Sequence, residues 1–348
     1  MGNSPLAAID LFCGAGGLTH GLVKAGIPVV AGIDLDPSCR FPFEANNKAK
    51  FVLRDVADVT SEDLIALYPE GVTRILVGCA PCQPFSRYSQ RRNQRDQKWG
   101  LLEHFSRLVS GVRPAVVSME NVPGLEREDV FRDFTKLLHS LEYDVSYTKA
   151  FCPAYGIPQH RTRLVLLAST IGKIELLSAT HRPHRYRSVA QAISQLPRLA
   201  RGEADPRDPL HRACKLSHRN LERIRASKPG GHWRDWPAHL VNACHREESG
   251  KNYVSVYGRM EWGIPSPTIT TQFFGFGNGR FGHPDQDRAI SLREGAILQS
   301  FPRKYRFCSN KADVSFAVLG RMIGNAVPVR LGRVIGKSIL KHLAESHD

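Results

Sequence analysis

The sequence predicts an α/β fold, a largely parallel sheet in the first half of the chain with a smaller domain inserted ahead of a returning C-terminal helix. Three observations carry this. Short apolar runs alternate with helical stretches up to Ser169, the pattern of βαβ units. From there the pattern breaks into Pro-, Gly-, His- and Arg-rich sequence, and a helical period resumes only after Pro328. The 348 residues are more than twice the ~150 of an average domain, enough for two cores without disulfide staples.

The strands are expected at Leu6 to Phe12, Ile27 to Ile33, Ile75 to Val77, Ala115 to Met119 and Leu164 to Ala168. Gly26 closes the helix that follows the first strand. In the inserted region one helix is signed by a capping box, Ser188 with Gln191, and ends by Pro197. The last helix starts at Pro328, a first-turn residue, and carries Leu331, Ile335, Ile339 and Leu343 on one face. Gly332 and Gly336 lower its intrinsic propensity.

Composition bounds the function. Hydrophobic residues at 42% and charged residues at 23% exclude a disordered or fibrous chain. No apolar run reaches the ~18 residues of a membrane span and no secretory leader opens the chain, so a cytoplasmic protein with no membrane partner is expected. The eight cysteines are scattered and read as thiols. The net charge of +15 points to a polyanionic partner, because released counterions drive such binding. From Arg182 to Asp235 thirteen Lys or Arg face five Asp or Glu. A second cluster, Arg87, Arg91, Arg92, Arg95 and Lys98, is opposed only by Asp96. Any one of these is explained equally well as solvated surface charge; two clusters beside chemical motifs point to phosphate contacts.

The run Asp10-Leu-Phe-Cys-Gly-Ala-Gly-Gly17 is a strand-to-helix turn whose glycines let backbone N–H groups approach a cofactor. A dinucleotide fingerprint would place Gly at position 19, which is Thr, so a simple tight turn is the competing reading. Asp34, twenty positions after Gly14 at a strand end, suits ribose hydroxyls, and Asp55 an adenine amino group. Cys79 and Cys82 stand three apart, but no second pair completes a zinc site. Cys82 follows a parallel strand, in a loop stiffened by Pro81 and Pro84 and close to arginines that favour a thiolate, and is expected to be a nucleophile. Cys79 is expected to be packing. Glu120 ends another strand and can face the same crevice, though an ordinary strand-end acid would look the same. Gln159, Arg161 and Arg163 alternate along an extended segment and are expected to share a face that orients Glu120 or meets an anion.

Taken in order, DLFCGAGG, GCAPCQPFS, MENV, QHRTR, the Arg293 to Pro302 segment and Gly324-Asn-Ala-Val-Pro328 resemble the motif series of DNA (cytosine-5) methyltransferases. The resemblance spans residues 6–340 and leaves 170–265 without shared motifs. It implies a Rossmann-like S-adenosylmethionine-dependent methyltransferase sheet with a smaller inserted target-recognition domain: 1–184 catalytic and cofactor-binding, 185–304 target-recognition, 305–348 returning. It implies that Phe12, Gly14, Gly16, Gly17 and Leu18 line the cofactor, with Asp34 on its ribose, Asp55 and Val56 at its adenine, and Pro81, Leu102, Asn325 and Val327 completing the pocket. Cys13, Ala15, His160 and Thr162 depart from the pattern only between these positions. Residues 87–99 would close on DNA.

For the chemistry, the resemblance implies that Cys82 adds to carbon 6 of a flipped-out cytosine, that Glu120 bonds N3 and the exocyclic amine, that Arg163 holds Glu120, and that Arg161 supports the site or a phosphate. Arg234 and Arg259 are the expected base readers, although pairing with phosphates or with Asp235 and Glu261 would satisfy them equally. Thr270 is expected on phosphate near the flipped nucleotide. The expected partners are double-stranded DNA and a restriction nuclease acting on the same sequence; the chain is expected to be monomeric, bacterial and free of metal. The competing readings are a catalytically silent DNA-binding relative, against which Cys82, Glu120 and the glycine loop all stand, and a nicotinamide-dependent enzyme.

Overall fold

The computed structural model describes residues 5–80, 95–310 and 312–345, with side chains for all of these except 95–99. Two compact units divide the chain. The first comprises 1–155, 162–180 and 327–348; the second comprises 156–161 and 181–326. The second unit thus runs on well past residue 304 and takes a short piece from just before Thr162.

The first unit is built on seven strands: β1 (Leu6–Leu11), β2 (Val29–Asp34), β3 (Lys50–Leu53), β4 (Thr73–Gly78), β5 (Val116–Asn121), β6 (Asp144–Phe151) and β7 (Thr162–Ser169). They lie in the order β3-β2-β1-β4-β5-β7-β6. β1 to β5 pair in parallel, while β7 runs antiparallel to both β5 and β6. The central strands read as continuous apolar runs because they are covered on both faces. β6, at the sheet edge, is mostly polar and alternating in Asp144-Val-Ser-Tyr-Thr-Lys149, and so gave no apolar run to detect. The helices of this unit are α1 (Gly17–Ala25), α2 (Arg40–Asn47), α3 (Ser61–Leu67), α4 (Arg95–Val112) and α5 (Asp129–Ser140). The buried faces of α3, α4 and α5 join the sheet in one core that includes Ile9, Leu76, Leu108, Met119, Phe134 and Leu166.

The second unit contains α6 (Val189–Ile193), a short antiparallel pair β8 (Ala204–Asp205) and β9 (Asp208–Arg212), α7 (His218–Ala226), α8 (Leu292–Leu298) and α9 (Phe316–Asn325). Ser188 and Gln191 do form the capping box of α6. Much of the rest is irregular backbone around an aromatic cluster of Trp233, Trp236 and Phe276, with the His245 ring stacked 4.5 Å from Trp233. The Arg288 guanidinium, fully buried, meets the Glu294 carboxylate through both ends at 2.7 and 2.8 Å.

The chain then returns to the first unit as α10 (Val329–Glu345), with Leu331, Ile335, Ile339 and Leu343 buried. Its glycines explain themselves here. A methyl group on Gly21 of α1 would lie 2.5 Å from the backbone of Gly332 and Arg333, and one on Gly336 would lie 2.7 Å from Ala25 Cβ. The two helices touch backbone to backbone, which outweighs the propensity cost of glycine in a helix. Among the described residues no helix is long and apolar enough to cross a membrane.

Two stability predictions follow from these contacts. Gly21→Ala should lower the urea midpoint by an amount equivalent to ~1–3 kcal/mol of overpacking. Gly263→Ala, where the added methyl meets nothing within 4 Å, should leave the midpoint unchanged. For Glu294, burial pushes its carboxyl up, but the charge and hydrogen bonds of Arg288 more than offset this and take it from 4.5 to about 2. A depressed carboxyl stabilises the fold above its unfolded value and loses that contribution as pH falls from 4.5 through about 2. Glu294→Gln, which strands the Arg288 charge, should cost ~3–5 kcal/mol at neutral pH. Fluorescence of Trp233, Trp236 and Trp262 in this unit reports both effects.

Candidate active site

The glycine loop is fixed by three left-handed residues, Phe12 at φ 57°, Gly14 at 51° and Gly16 at 82°. Glycine adopts such angles without the steric penalty of a Cβ, whereas Phe12 carries the strain of a bulky residue there. The loop is anchored across the sheet: Gly14 N donates to Asp34 Oδ2 at 2.8 Å, and Asp36 N donates to Oδ1 at 2.9 Å. Each Asp34 oxygen therefore holds one backbone donor and retains accepting capacity for hydroxyl groups. Burial pushes the Asp34 carboxyl up, and these backbone donors pull it back. Leu35, next in sequence, is 64% exposed, an apolar surface beside a polar acceptor; the sequence reading missed it. Gly17 and Leu18 enter buried α1.

Asp10 sits beneath the loop at 1% exposure. Its Oδ2 accepts from Thr19 Oγ1 at 2.6 Å, while Oδ1 has no partner among the described residues. Burial drives it up to about 7 against the Thr19 hydrogen bonds. Burial first, and then the Asp10 and Asp34 carboxylates, push the Cys13 thiol well above its ordinary value, which leaves it inert. Asp55 turns one oxygen inward to cap Ala57 N at 2.9 Å. Val56, Leu102 and Val327 are buried side chains of the first unit.

At the carboxyl ends of β4 and β5 lies a second polar group. Glu120 is 2% exposed. Arg163 Nε lies 3.1 Å from its Oε1 as an ion pair, without the direction of a hydrogen bond, and Cys79 Sγ lies 2.9 Å from Oε2. The pairing Glu120 with Val165 puts Arg163, two residues away on β7, on the same face of the sheet. Asn121 Nδ2 donates to Ala80 O at 3.0 Å, tying the end of β5 to the chain that leads toward Cys82. Neither the Asn121 tie nor the Cys79 contact was read from the sequence, which left Cys79 as packing. Pro81, Cys82, Arg87, Arg91 and Arg92 lie outside the described residues, as does the side chain of Arg95.

Gln159 and Arg161 come together, Arg161 Nη1 donating to Gln159 Oε1 at 3.4 Å, whereas Arg163 belongs to the first unit. Thr162 opens β7, and Gln159 and Arg161 belong to the second unit. Gln159 Nε2 donates to Gln299 Oε1 at 2.8 Å, and its Oε1 accepts Ile269 N at 2.9 Å. Arg161 donates to Ile269 O at 2.9 Å and Gly324 O at 3.2 Å. It joins the loop at Ile269 to the end of α9 and is 5% exposed. Gly324 is required there, since a methyl would lie 2.4 Å from Thr270 O. Thr270 and Asn325 are exposed in this unit.

Arg259 is not a base reader. It is 6% exposed, and its guanidinium donates to the carbonyls of Ile224, Ser227, His283 and Gln286 and to the Asp287 carboxylate. Arg234 is exposed, its guanidinium 5.4 Å above the Trp233 ring and bonded to Lys251 O. Among the described residues no group of three or more His, Cys, Asp or Glu could hold a metal ion.

Comparison with known proteins meets this geometry. A profile of the family described as C-5 cytosine-specific DNA methylase matches residues 6–341. The Type II methylase M.HgiDII of Herpetosiphon aurantiacus is 51% identical over 98% of this chain and 97% of its own length. The Type II methyltransferase M.Sau96I of Staphylococcus aureus is 28% identical over 98% of this chain and 77% of its own. Among solved structures, an Escherichia coli chain described as a DNA modification methyltransferase encoded within a prophage is similar at a TM-score of 0.74, with 23% identity, 97% of this chain and 99% of that one covered. A Schizosaccharomyces pombe Dnmt2 methyltransferase shares the fold at 0.62, with 18% identity and 99% of each chain covered. With the family profile matching nearly the whole chain and a relative identical at half its positions, the protein belongs to the C-5 cytosine-specific DNA methylase family.

Proposed function

We propose that the protein is a modification methyltransferase that methylates carbon 5 of a flipped-out cytosine in a specific duplex sequence through a covalent Cys82 adduct. The observation that carries this reading is the Glu120 carboxylate, buried and paired with Arg163 beside the chain leading to Cys82. Carbon 5 of cytosine is a weak nucleophile and gains electron density only when another nucleophile adds at carbon 6. The Cys82 thiolate forms that S–C6 bond, and the C5–C6 π electrons shift onto C5 and through C4 toward N3. Glu120 shares a proton with N3, which takes it as the charge builds there, and accepts from the exocyclic amine, stabilising the enamine. Arg163 holds the carboxylate in place for both bonds. Bound S-adenosylmethionine would supply the electrophilic methyl group for carbon 5 and leave as S-adenosylhomocysteine. Loss of the carbon 5 proton, return of the N3 proton to Glu120 and cleavage of the S–C6 bond then restore the aromatic ring and the Cys82 thiolate.

The cofactor fits the residues that would hold it. Asp34 offers two oxygens to vicinal ribose hydroxyls, Leu35 an apolar surface, and the loop from Phe12 to Gly16 a turn held from below. The target atom is unreachable in a stacked duplex, so the cytosine must leave the helix at a cost of a few kcal/mol. The exposed arginines from Arg182 to Arg234 supply phosphate contacts that offset this, and Arg234 is kept as a candidate base reader. The Type II names of the relatives support pairing with a restriction nuclease.

Two experiments test the reading. Duplex DNA carrying 5-fluorocytosine should trap Cys82 as an adduct, because fluorine blocks the final elimination; Cys82→Ala should abolish both adduct and methylation, and a variant that still methylates at a comparable rate refutes the nucleophile. Asp34→Ala should weaken S-adenosylmethionine binding by roughly 10- to 100-fold, as expected for lost hydrogen bonds to a charged group. Affinity for nonspecific DNA should not change. Calorimetry on the same protein reads both, and tight binding of a nicotinamide dinucleotide instead would refute the cofactor.

A further inference from the structure

We propose that Cys79 is a positioning residue for the reaction: its thiol and the Arg163 guanidinium hold the two oxygens of Glu120 and so set the plane of that carboxylate before a base arrives. This rests on the reading of Glu120 given above. The terminal torsion of a glutamate is broad and weakly restrained by its own covalent structure. An ion pair without hydrogen-bond direction restrains that torsion weakly, and Arg163 Nε meets Oε1 at 3.1 Å without such direction. The second restraint comes from Cys79 Sγ, 2.9 Å from Oε2.

The thiol is itself held. β4 pairs with β5 so that Gly78 stands beside Met119, which brings the residues that follow, Cys79 and Glu120, alongside each other. Cys79 N donates to Leu11 O at 3.3 Å, and Asn121 Nδ2 holds the carbonyl of Ala80 at 3.0 Å. Backbone bonds at Cys79 and at the next residue therefore fix the chain from which its sulfur projects. A carboxylate buried to 2% exposure needs donors on both oxygens, and a buried acceptor left without one is costly. Cysteine supplies such a donor while fitting a half-buried strand end, which explains a thiol at this position that takes no part as a nucleophile.

The test compares Cys79→Ala, Cys79→Val and Cys79→Ser in the full chain, by steady-state methyl transfer to duplex DNA and by thermal melting. Cys79→Ala should lower kcat by about tenfold, the size of one lost hydrogen bond to a charged group. Its KM values for DNA and for S-adenosylmethionine should not change. Cys79→Ser, which restores a donor, should recover most of the loss. Cys79→Val, which keeps volume without a donor, should behave as Cys79→Ala and decides the matter if the alanine variant melts early. In a Glu120→Gln background, Cys79→Ala should add no further loss. Wild-type kcat in both donorless variants, no recovery in Cys79→Ser, or an undiminished further loss in the Glu120→Gln background overturns the proposal. Wild-type kcat in Glu120→Gln alone overturns the reading of Glu120 instead, and the proposal with it.

Discussion

A carboxylate buried at the end of a strand is either driven toward its neutral form, as Asp10 is, or met by a cation, and for Glu120 the topology of the sheet brings one. Glu120 lies at the carboxyl end of β5. A parallel neighbour would present its own carboxyl end there, and its first residues would lie a strand length away. Because β7 runs antiparallel, its second residue, Arg163, arrives at the Glu120 end. The reversal of one strand in an otherwise parallel sheet is therefore the condition for the pair. It also fixes the chain path, since β7 must enter from the end of the sheet where Glu120 stands. The entry segment, 156–161, belongs to the second unit, so Arg161 ties a loop of that unit to α9 while Arg163 serves the first.

The glycine loop obeys a different constraint. Its conformation is set by Phe12, Gly14 and Gly16 and by the tie of Gly14 N to Asp34, but its position depends on α1, which it caps. α1 is pressed against α10 with backbone contacts that only Gly21, Gly332 and Gly336 permit. The last helix of the chain thus supports a loop formed from its first strand, and glycines that weaken α10 as an isolated helix hold it at the required distance from α1.

Much of this was legible in the sequence. Apolar runs located five of the seven strands of the large sheet, and the period of α10 and the capping box of α6 were read residue by residue. Direction was not legible, because a buried strand has the same pattern whichever way it runs; the antiparallel course of β7 could not be read from Leu164 to Ala168. β6 was missed because its apolar residues Val145 and Tyr147 alternate with polar ones and form no continuous run. The candidate site was legible where chemistry demands a residue type: the structure places Asp34 on the glycine loop and Glu120 beside Arg163, though their roles stay proposals. It was not legible where geometry decides the role: Cys79 as a donor to Glu120, Asn121 as a tie, and Gln299 as the partner of Gln159 have no spacing rule that announces them.

Arginine shows most clearly where charge counting stops being informative. Ten of the thirteen basic residues between Arg182 and Arg234 are exposed, among them Arg182, Arg198 and Lys228, and these can release counterions from a phosphate backbone. Arg223, Arg259, Arg288 and Arg293 of the same unit are buried. Arg259 is surrounded by four carbonyls and a carboxylate, Arg288 by Glu294, and Arg293 by Asp208 and Tyr305 O. With few regular elements to pair its backbone, the second unit leaves carbonyls pointing inward, and a planar guanidinium with five donors satisfies several at once where a lysine could not. The same residue type thus performs two jobs in one unit, separated by how many fixed acceptors surround it, and only the exposed set is available to DNA.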